Sequence, residues 1–337
     1  MHMADALITP AVAGTMYACS AAAAAYSIKK VKEENSPEKI PVMGVMGAFV
    51  FATQMINFTI PGTGSSGHLC GGMLLSALLG PYAGFLTMIG VLLIQGLLFA
   101  DGGLLALGCN VWNMAFYGCF VGTLVIWLPM MKKGFSTGKI IAASIIGCML
   151  TLQLGAFSVT LETLCSGITE LPFSVFVMTM QPIHLAIGFV EGLITAAVLV
   201  FVYNARPELL YGNADAGASS DAAAGFSYKS TIAILAICTA LIGGGLSLFA
   251  SSNPDGLEWS MEQVAGTAEL EAEGGIYDYA AALQDTTSLL PDYAFKDSES
   301  AAGTSFSGIF GSIIVAALCM GACYVFSFFR KKKEKDI

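Results

Sequence analysis

The chain has 337 residues, of which 55% are hydrophobic and only 12% charged, with a formal net charge of −9 and a mean hydropathy of +0.72. A soluble domain carries roughly a quarter of its residues as charges, so this is the composition of a polytopic membrane protein. It excludes disordered tails and secreted disulfide scaffolds, and apolar runs rich in Ala, Leu, Gly and Met speak against a membrane β-barrel.

The basic residues set a topology. They cluster at Lys29, Lys30, Lys32 and Lys39, at Lys132, Lys133 and Lys139, at Arg206 and Lys229, and at Arg330 to Lys333 with Lys335. Lysine and arginine accumulate in cytoplasmic loops, so each cluster is expected inside. The first apolar run, residues 9–28, has no basic residue before it, unlike a signal peptide, and its N-terminus is expected outside. Residues 40–60 return outward and end in a Gly-rich loop, Pro61 to His68. Residues 69–100 are too long for one crossing and are broken at Gly80-Pro81, which predicts a short crossing followed by a full one. Residues 104–131, 140–161 and 174–203 bring the crossings to seven. Residues 205–228 then thin into a flexible cytoplasmic tether of small residues. Beyond it, 231–250 and 306–329 form a separate two-helix hairpin.

The expected fold is therefore all-α and integral to the membrane: a seven-helix bundle over residues 1–204, a linker at 205–228 and a hairpin over 229–337. The hairpin's outer segment, 251–305, carries eleven acidic residues against Lys296. It is expected to be a solvated loop, the alternative being a region that concentrates cations.

Nucleic-acid binding is disfavoured, because the basic residues sit in the inner loops. Gly62 to Gly67 matches G-x-G-x-x-G literally, but it follows a membrane helix rather than a strand, and the last glycine precedes His68 rather than a lysine, so it is neither a dinucleotide fingerprint nor a P-loop. With no ATP-binding motif, active transport needs another chain or an ion gradient. No H-E-x-x-H, no carboxylate pair beside a histidine and no nucleophile with its base is present, which argues against an enzyme. The nine cysteines and sixteen methionines are scattered and read as core filler rather than a disulfide framework, a zinc site or a copper path.

Three histidines remain, His2, His68 and His184. The amine of Met1, the deprotonated amide nitrogen of His2 and its imidazole can chelate one metal through fused five- and six-membered rings. A nitrogen from His68, expected on the same membrane face, would complete a planar N4 set. Such a set suits Ni(II) or Cu(II). The alternative is a frayed terminus. His184 opens the seventh span with Glu191 two turns further on the same face, and the pair either serves the ion or packs helices. Asn110 and Asn113 share a helix face and either serve the site or bind neighbouring helices. Small residues four apart at Ala18 and Ala22, and at Gly44 and Ala48, offer smooth faces for close helix contact.

Met1-His2-Met3-Ala4-Asp5-Ala6-Leu7, the loop ending Ser66-Gly67-His68-Leu69, Asn110-Val111-Trp112-Asn113-Met114, and Pro182-Ile183-His184-Leu185 with Glu191-Gly192 together resemble the NikM/CbiM family, the substrate-binding (S) components of energy-coupling-factor nickel/cobalt transporters. Asn253-Pro254-Asp255-Gly256-Leu257-Glu258-Trp259 resembles the small PDGLE-type subunit, here fused as in NikMN proteins.

The resemblance implies a seven-helix component whose terminus enters a central pocket, with Met1, His2 and His68 as metal ligands. Ser66, Asn110, Asn113, His184 and Glu191 are then candidates to orient the ligands or line the ion's route. It also implies a transmembrane coupling (T) protein and cytoplasmic ATP-binding subunits as partners, Ni2+ or Co2+ as transported substrate with no prosthetic group, and the bacterial cytoplasmic (inner) membrane as location, with the C-terminus inside. The start Met1-His2-Met3-Ala4-Asp5 resembles the nickel members. The competing expectations are cobalt uptake for cobalamin synthesis and a partner-independent secondary transporter or channel.

Overall fold

The computed structural model describes the chain apart from residues 35, 37, 38, 169, 170, 214–225, 269, 273, 297, 299, 336 and 337, and gives residues 322–335 as main chain. Of the expected tether, residues 214–225 lie outside the described residues, while Leu210 is buried and Tyr211 N donates to Ala77 O (2.8 Å).

The first seven helices are α1 (Pro10–Glu34), α2 (Lys39–Gln54), α3 (Gly72–Leu79), α4 (Pro81–Leu98), α5 (Leu107–Met131), α6 (Thr137–Ser166) and α7 (Phe173–Ala205). The hairpin supplies α8 (Tyr228–Gly244), α9 (Gly256–Ala265), α10 (Ile276–Thr287) and α11 (Ala301–Lys335). Among the described residues, six helices are long and apolar enough to cross a membrane, namely α1, α4, α5, α6, α7 and the Ala301–Gly321 part of α11, while α2 and α8 are shorter apolar helices. The protein is a multi-pass, helical membrane protein.

Two details of the expected crossings change. The second run is helical only to Gln54; Phe58–Ile60 (β1) then pairs antiparallel with Ser65–Gly67 (β2), Thr59 opposite Ser66. A run of apolar composition alone does not separate the end of a helix from a short strand.

The break at Gly80-Pro81 is real. Gly80 has φ 84°, and a Cβ there would come within 2.5 Å of the Tyr211 ring, so only glycine fits, while Pro81 takes the first helical position. The preceding α3 has eight residues, a rise of about 12 Å, less than half of a bilayer core. It is a half-depth helix reached through the irregular, buried stretch 68–71. Non-helical backbone is tolerated in such a protein where other helices satisfy it, and here the Glu191 carboxylate accepts from the amides of Cys70 (3.0 Å) and Gly71 (2.9 Å).

In the hairpin α8 and α11 touch at Gly243 and Gly308, and α11 leans on α2. Gly44 faces Met320, Gly47 faces Val315, and the Ser312 hydroxyl donates to the Ala48 carbonyl. The smooth face of α2 is thus covered from within the chain, whereas Ala18 and Ala22 on α1 are exposed.

The outer segment is folded rather than a solvated loop. Leu257, Met261, Ala280 and Leu290 are buried, with α9 packed on α7 and α10 on α4. Charge count misjudged it because Glu258, Glu262, Asp278 and Asp285 lie on two short helices whose buried apolar residues pack on the bundle.

Candidate metal centre

The N-terminal arm enters the protein. Met3, Leu7 and Ile8 are fully buried, and the main chain is gripped on both sides of Met3. Asn110 Oδ1 accepts from Met3 N (2.7 Å), Asn110 Nδ2 donates to Met3 O (3.2 Å), and Gly103 N donates to the same carbonyl (2.9 Å). Asp5 accepts from the amide of Ala106 at 2.9 Å. The turn before α5 must let the arm pass: a Cβ on Gly102 would come within 2.8 Å of the Asn110 amide nitrogen, and one on Gly103 would strike Asp5.

This docking puts the terminal amine beside a histidine. Met1 N lies 2.8 Å from His68 Nε2, and the imidazoles of His2 and His68 stack with centroids 5.2 Å apart. His68 Nδ1 is 2.9 Å from the Leu69 carbonyl, so that nitrogen carries the proton and donates, leaving the Nε2 lone pair for the amine or a cation. His2 is turned differently: its Nδ1 lies 3.1 Å from Asp101 Oδ1 and its Nε2 3.2 Å from Gln95 Oε1.

The other wall comes from the outer segment. Asp255 Oδ2 pairs with the Met1 amine at 2.5 Å and lies 3.7 Å from His68 Nε2. Burial is the largest single effect and lowers the amine's proton affinity, yet the charge and hydrogen bond of Asp255, with Cys70 and Asp101, together outweigh it and the pKa ends above its ordinary 8.0. Burial likewise works to raise the Asp255 pKa, but the ammonium and His68 hold it well below 3.8. Burial pushes His2 down to about 4, partly opposed by Asp101.

Tyr293 closes a second contact, its hydroxyl donating to Asp101 Oδ2 (2.5 Å) and accepting from Gln95 Nε2 (3.1 Å). His2, Asp101, Tyr293 and Gln95 thus form a closed ring. Ala100, Asp292 and Tyr293, on the two turns that meet there, hold φ of 55°, 49° and 58°, a left-handed conformation costly for non-glycine residues and concentrated at functional sites. Further out, the Tyr277 hydroxyl donates to Ile8 O at 2.8 Å, and Gln284 Nε2 to Gly102 O at 2.8 Å.

The remaining candidates divide. Ser66 bonds none of the candidate ligand atoms among the described residues; its Oγ donates to Asn253 O (2.8 Å) and its N to Pro254 O (2.8 Å), fastening the turn that carries Asp255. Glu191 holds the backbone just after His68 and does not pair with His184. His184 donates from Nδ1 to Met180 O (2.8 Å), and its buried Nε2 has no partner among the described residues. It lines a small cavity of about 10 Å³ together with Met1, His68, Cys70, Asp255 and Gly256. Asn113 donates to Glu162 Oε2 (2.7 Å) and touches the Met3 sulfur. The ring partners Asp101, Gln95 and Tyr293, and Asp255 itself, were not singled out as site residues from sequence. Two signals existed: Asp101 is the one acidic residue between positions 39 and 161, and Asp255-x-x-Glu258 is a capping-box pattern.

Residues 2–209 match the family model of CbiM, the cobalt uptake substrate-specific transmembrane region, and residues 229–328 match that of the PDGLE domain. The chain belongs to the CbiM family. A putative fused nickel transport protein NikMN of Archaeoglobus fulgidus is 35% identical over 94% of this chain and 96% of its own length. A cobalt transport protein CbiM of Geobacter sulfurreducens is 31% identical over 64% of each. The crystal structure of a truncated transition metal transporter superposes with a TM-score of 0.53 at 31% identity, over 60% of this chain and 98% of that one. The protein is accordingly a membrane component of nickel or cobalt transport, of the fused CbiM type, with the metal as substrate and relatives that are transport proteins rather than enzymes.

Proposed function

We propose that the protein is the substrate-binding component of an ATP-driven nickel uptake transporter of the energy-coupling-factor type, with a binding unit at 1–204, a linker at 205–228 and an accessory hairpin at 229–337. The Met1 amine, the His2 amide nitrogen and imidazole, and His68 Nε2 capture Ni(II) in a planar N4 set. The observation that carries this reading is the buried amine 2.8 Å from His68 Nε2, with the His2 ring stacked alongside. To ligate, His2 Nδ1 leaves Asp101, and the amine and amide each release a proton. A cavity of about 10 Å³ holds about one water-sized body, which favours an ion stripped of its hydration shell.

Around this set, Asn110 seats the arm, Asn113 supports Met3, Ser66 and Glu191 fix the walls, and His184 offers its free Nε2 as a transient contact on the ion's route. The N-terminus faces outward and the C-terminus the cytoplasm of a bacterial cell. A T protein docks on the exposed Ala18–Ala22 face of α1, and cytoplasmic ATPases drive release inward.

The test is the nickel content of purified protein with its native N-terminus beside a version carrying one extra Gly before Met1. The expected result is near one nickel per chain in the first and near none in the second; equal binding by both would place the ligands elsewhere. The second reading, cobalt as substrate, draws on the cobalt transport relatives, and a competition titration of Co(II) against Ni(II) decides between them.

A further inference from the structure

The fused hairpin reaches the proposed chelate through one charged atom. Asp255 Oδ2 lies 2.5 Å from the Met1 amine and 3.7 Å from His68 Nε2, so a single carboxylate oxygen faces two of the proposed ligand atoms. We propose that Asp255 is the counter-charge of the bound cation, supplied to the site by the hairpin. This rests on the N4 reading above and goes beyond it, because it gives the second unit a residue-level part in holding the metal.

The carboxylate is built into place. Its other oxygen caps α9, accepting from the amides of Leu257 (2.7 Å) and Glu258 (2.9 Å), and the Glu258 carboxylate returns to the Asp255 amide at 2.9 Å. The preceding carbonyls, of Asn253 and Pro254, are tied to Ser66, two residues before His68. The histidine loop and the carboxylate are therefore positioned by the same seam.

A charge count says why the site needs it. A divalent cation held by a neutral amine, two neutral imidazoles and one deprotonated amide leaves one net positive charge. The metal-free site carries one as well, on the ammonium. Burying such a charge unpaired is expensive, and one fixed carboxylate balances both states, so two protons leave as the cation enters with no change in the site's net charge. Of the other carboxylates nearby, Glu258 is held on the Asp255 amide and Asp101 by the Tyr293 hydroxyl beside His2, and neither pairs with the Met1 amine.

The experiment titrates Ni(II) into the metal-free full chain with its native N-terminus, comparing wild type with Asp255→Asn, Asp255→Ser, Glu262→Gln and His68→Ala. Asparagine and serine both cap helices as well as aspartate does, so the first two variants keep the fold of α9 and lose only the charge. Both are expected to weaken nickel binding by about ten- to a hundredfold, with the ligand-field absorption of bound nickel unchanged, while Glu262→Gln binds as wild type. Wild-type affinity in Asp255→Asn, an equal loss in Glu262→Gln, or an altered spectrum in the Asp255 variants would each overturn the counter-charge role. If His68→Ala loses nickel while both Asp255 variants bind normally, the chelate stands and the counter-charge fails. If His68→Ala itself binds normally, the chelate is what fails.

Discussion

The arm is held from two sides by different means. On the bundle side, Asn110 and Gly103 bond the main chain of the arm at the Met3 peptide, and the amide of Ala106 takes the Asp5 carboxylate. On the hairpin side the grip is by side chains: Asp255 on the amine, Tyr277 on Ile8 O, Tyr293 on the Asp101 carboxylate that holds His2. Main-chain bonds fix where the arm lies almost regardless of its sequence. Side-chain contacts fix its charge and the orientation of His2. The difference teaches that the bundle builds the socket and the hairpin tunes what the socket holds.

The largest expected effect probes the charge that the hairpin holds. The Met1 amine keeps its proton past 8.0 because Asp255, with Cys70 and Asp101, outweighs the effect of burial, so below that pH the cation competes with the amine proton and the amide proton together. Affinity should fall about a hundredfold per pH unit, roughly 10⁴-fold from pH 7.5 to 5.5. His2, pushed to about 4, adds a third proton only near that value. A pH series of nickel titrations giving a slope of one would mean that the amide is not a ligand.

Next comes the socket. Asn110→Ala removes both of its bonds to the Met3 peptide and leaves the buried Met3 N–H unpaired, while Met3 O keeps Gly103 N; at about 2–3 kcal/mol nickel affinity should drop roughly thirty- to a hundred-and-fiftyfold, and residues 1–8 should lose protection in hydrogen exchange. Unchanged protection would show that the hairpin alone seats the arm.

Opening the ring is milder. Tyr293→Phe deletes one hydroxyl shared by Asp101 and Gln95, and about 1–2 kcal/mol corresponds to a change of roughly five- to thirtyfold in nickel affinity, with residues 3–8 still protected. A loss of protection there would erase the distinction between socket and tuning. Smallest is Tyr277→Phe, which removes one part-exposed bond and should alter binding by no more than about fivefold.

Much of this architecture was legible because its causes are local in sequence. The apolar runs located the long helices with ends off by up to about six residues and left out α9 and α10, Gly80-Pro81 marked a true break, and Met1-His2 with His68 named groups that the fold brings together. The ends of α2 and the depth of α3 were not legible, since a run of hydrophobic residues does not say where hydrogen bonding turns from helix to strand. Asp255 and Tyr293 were missed for another reason. Asp255 acts on a residue 254 positions away and Tyr293 on one 192 positions away, and no periodicity links such pairs. The acidic outer segment was misjudged because a count of charges ignores the side of the helix each occupies.

With the proposed chelate, the seam between Ser66 and the turn at Pro254 makes metal occupancy and hairpin docking two faces of one equilibrium. Whatever factor the docked hairpin contributes to nickel affinity, nickel must return as an equal factor in the grip of the hairpin on the bundle. In a protein cut within residues 205–228, the two fragments would report on the metal simply by how tightly they hold each other.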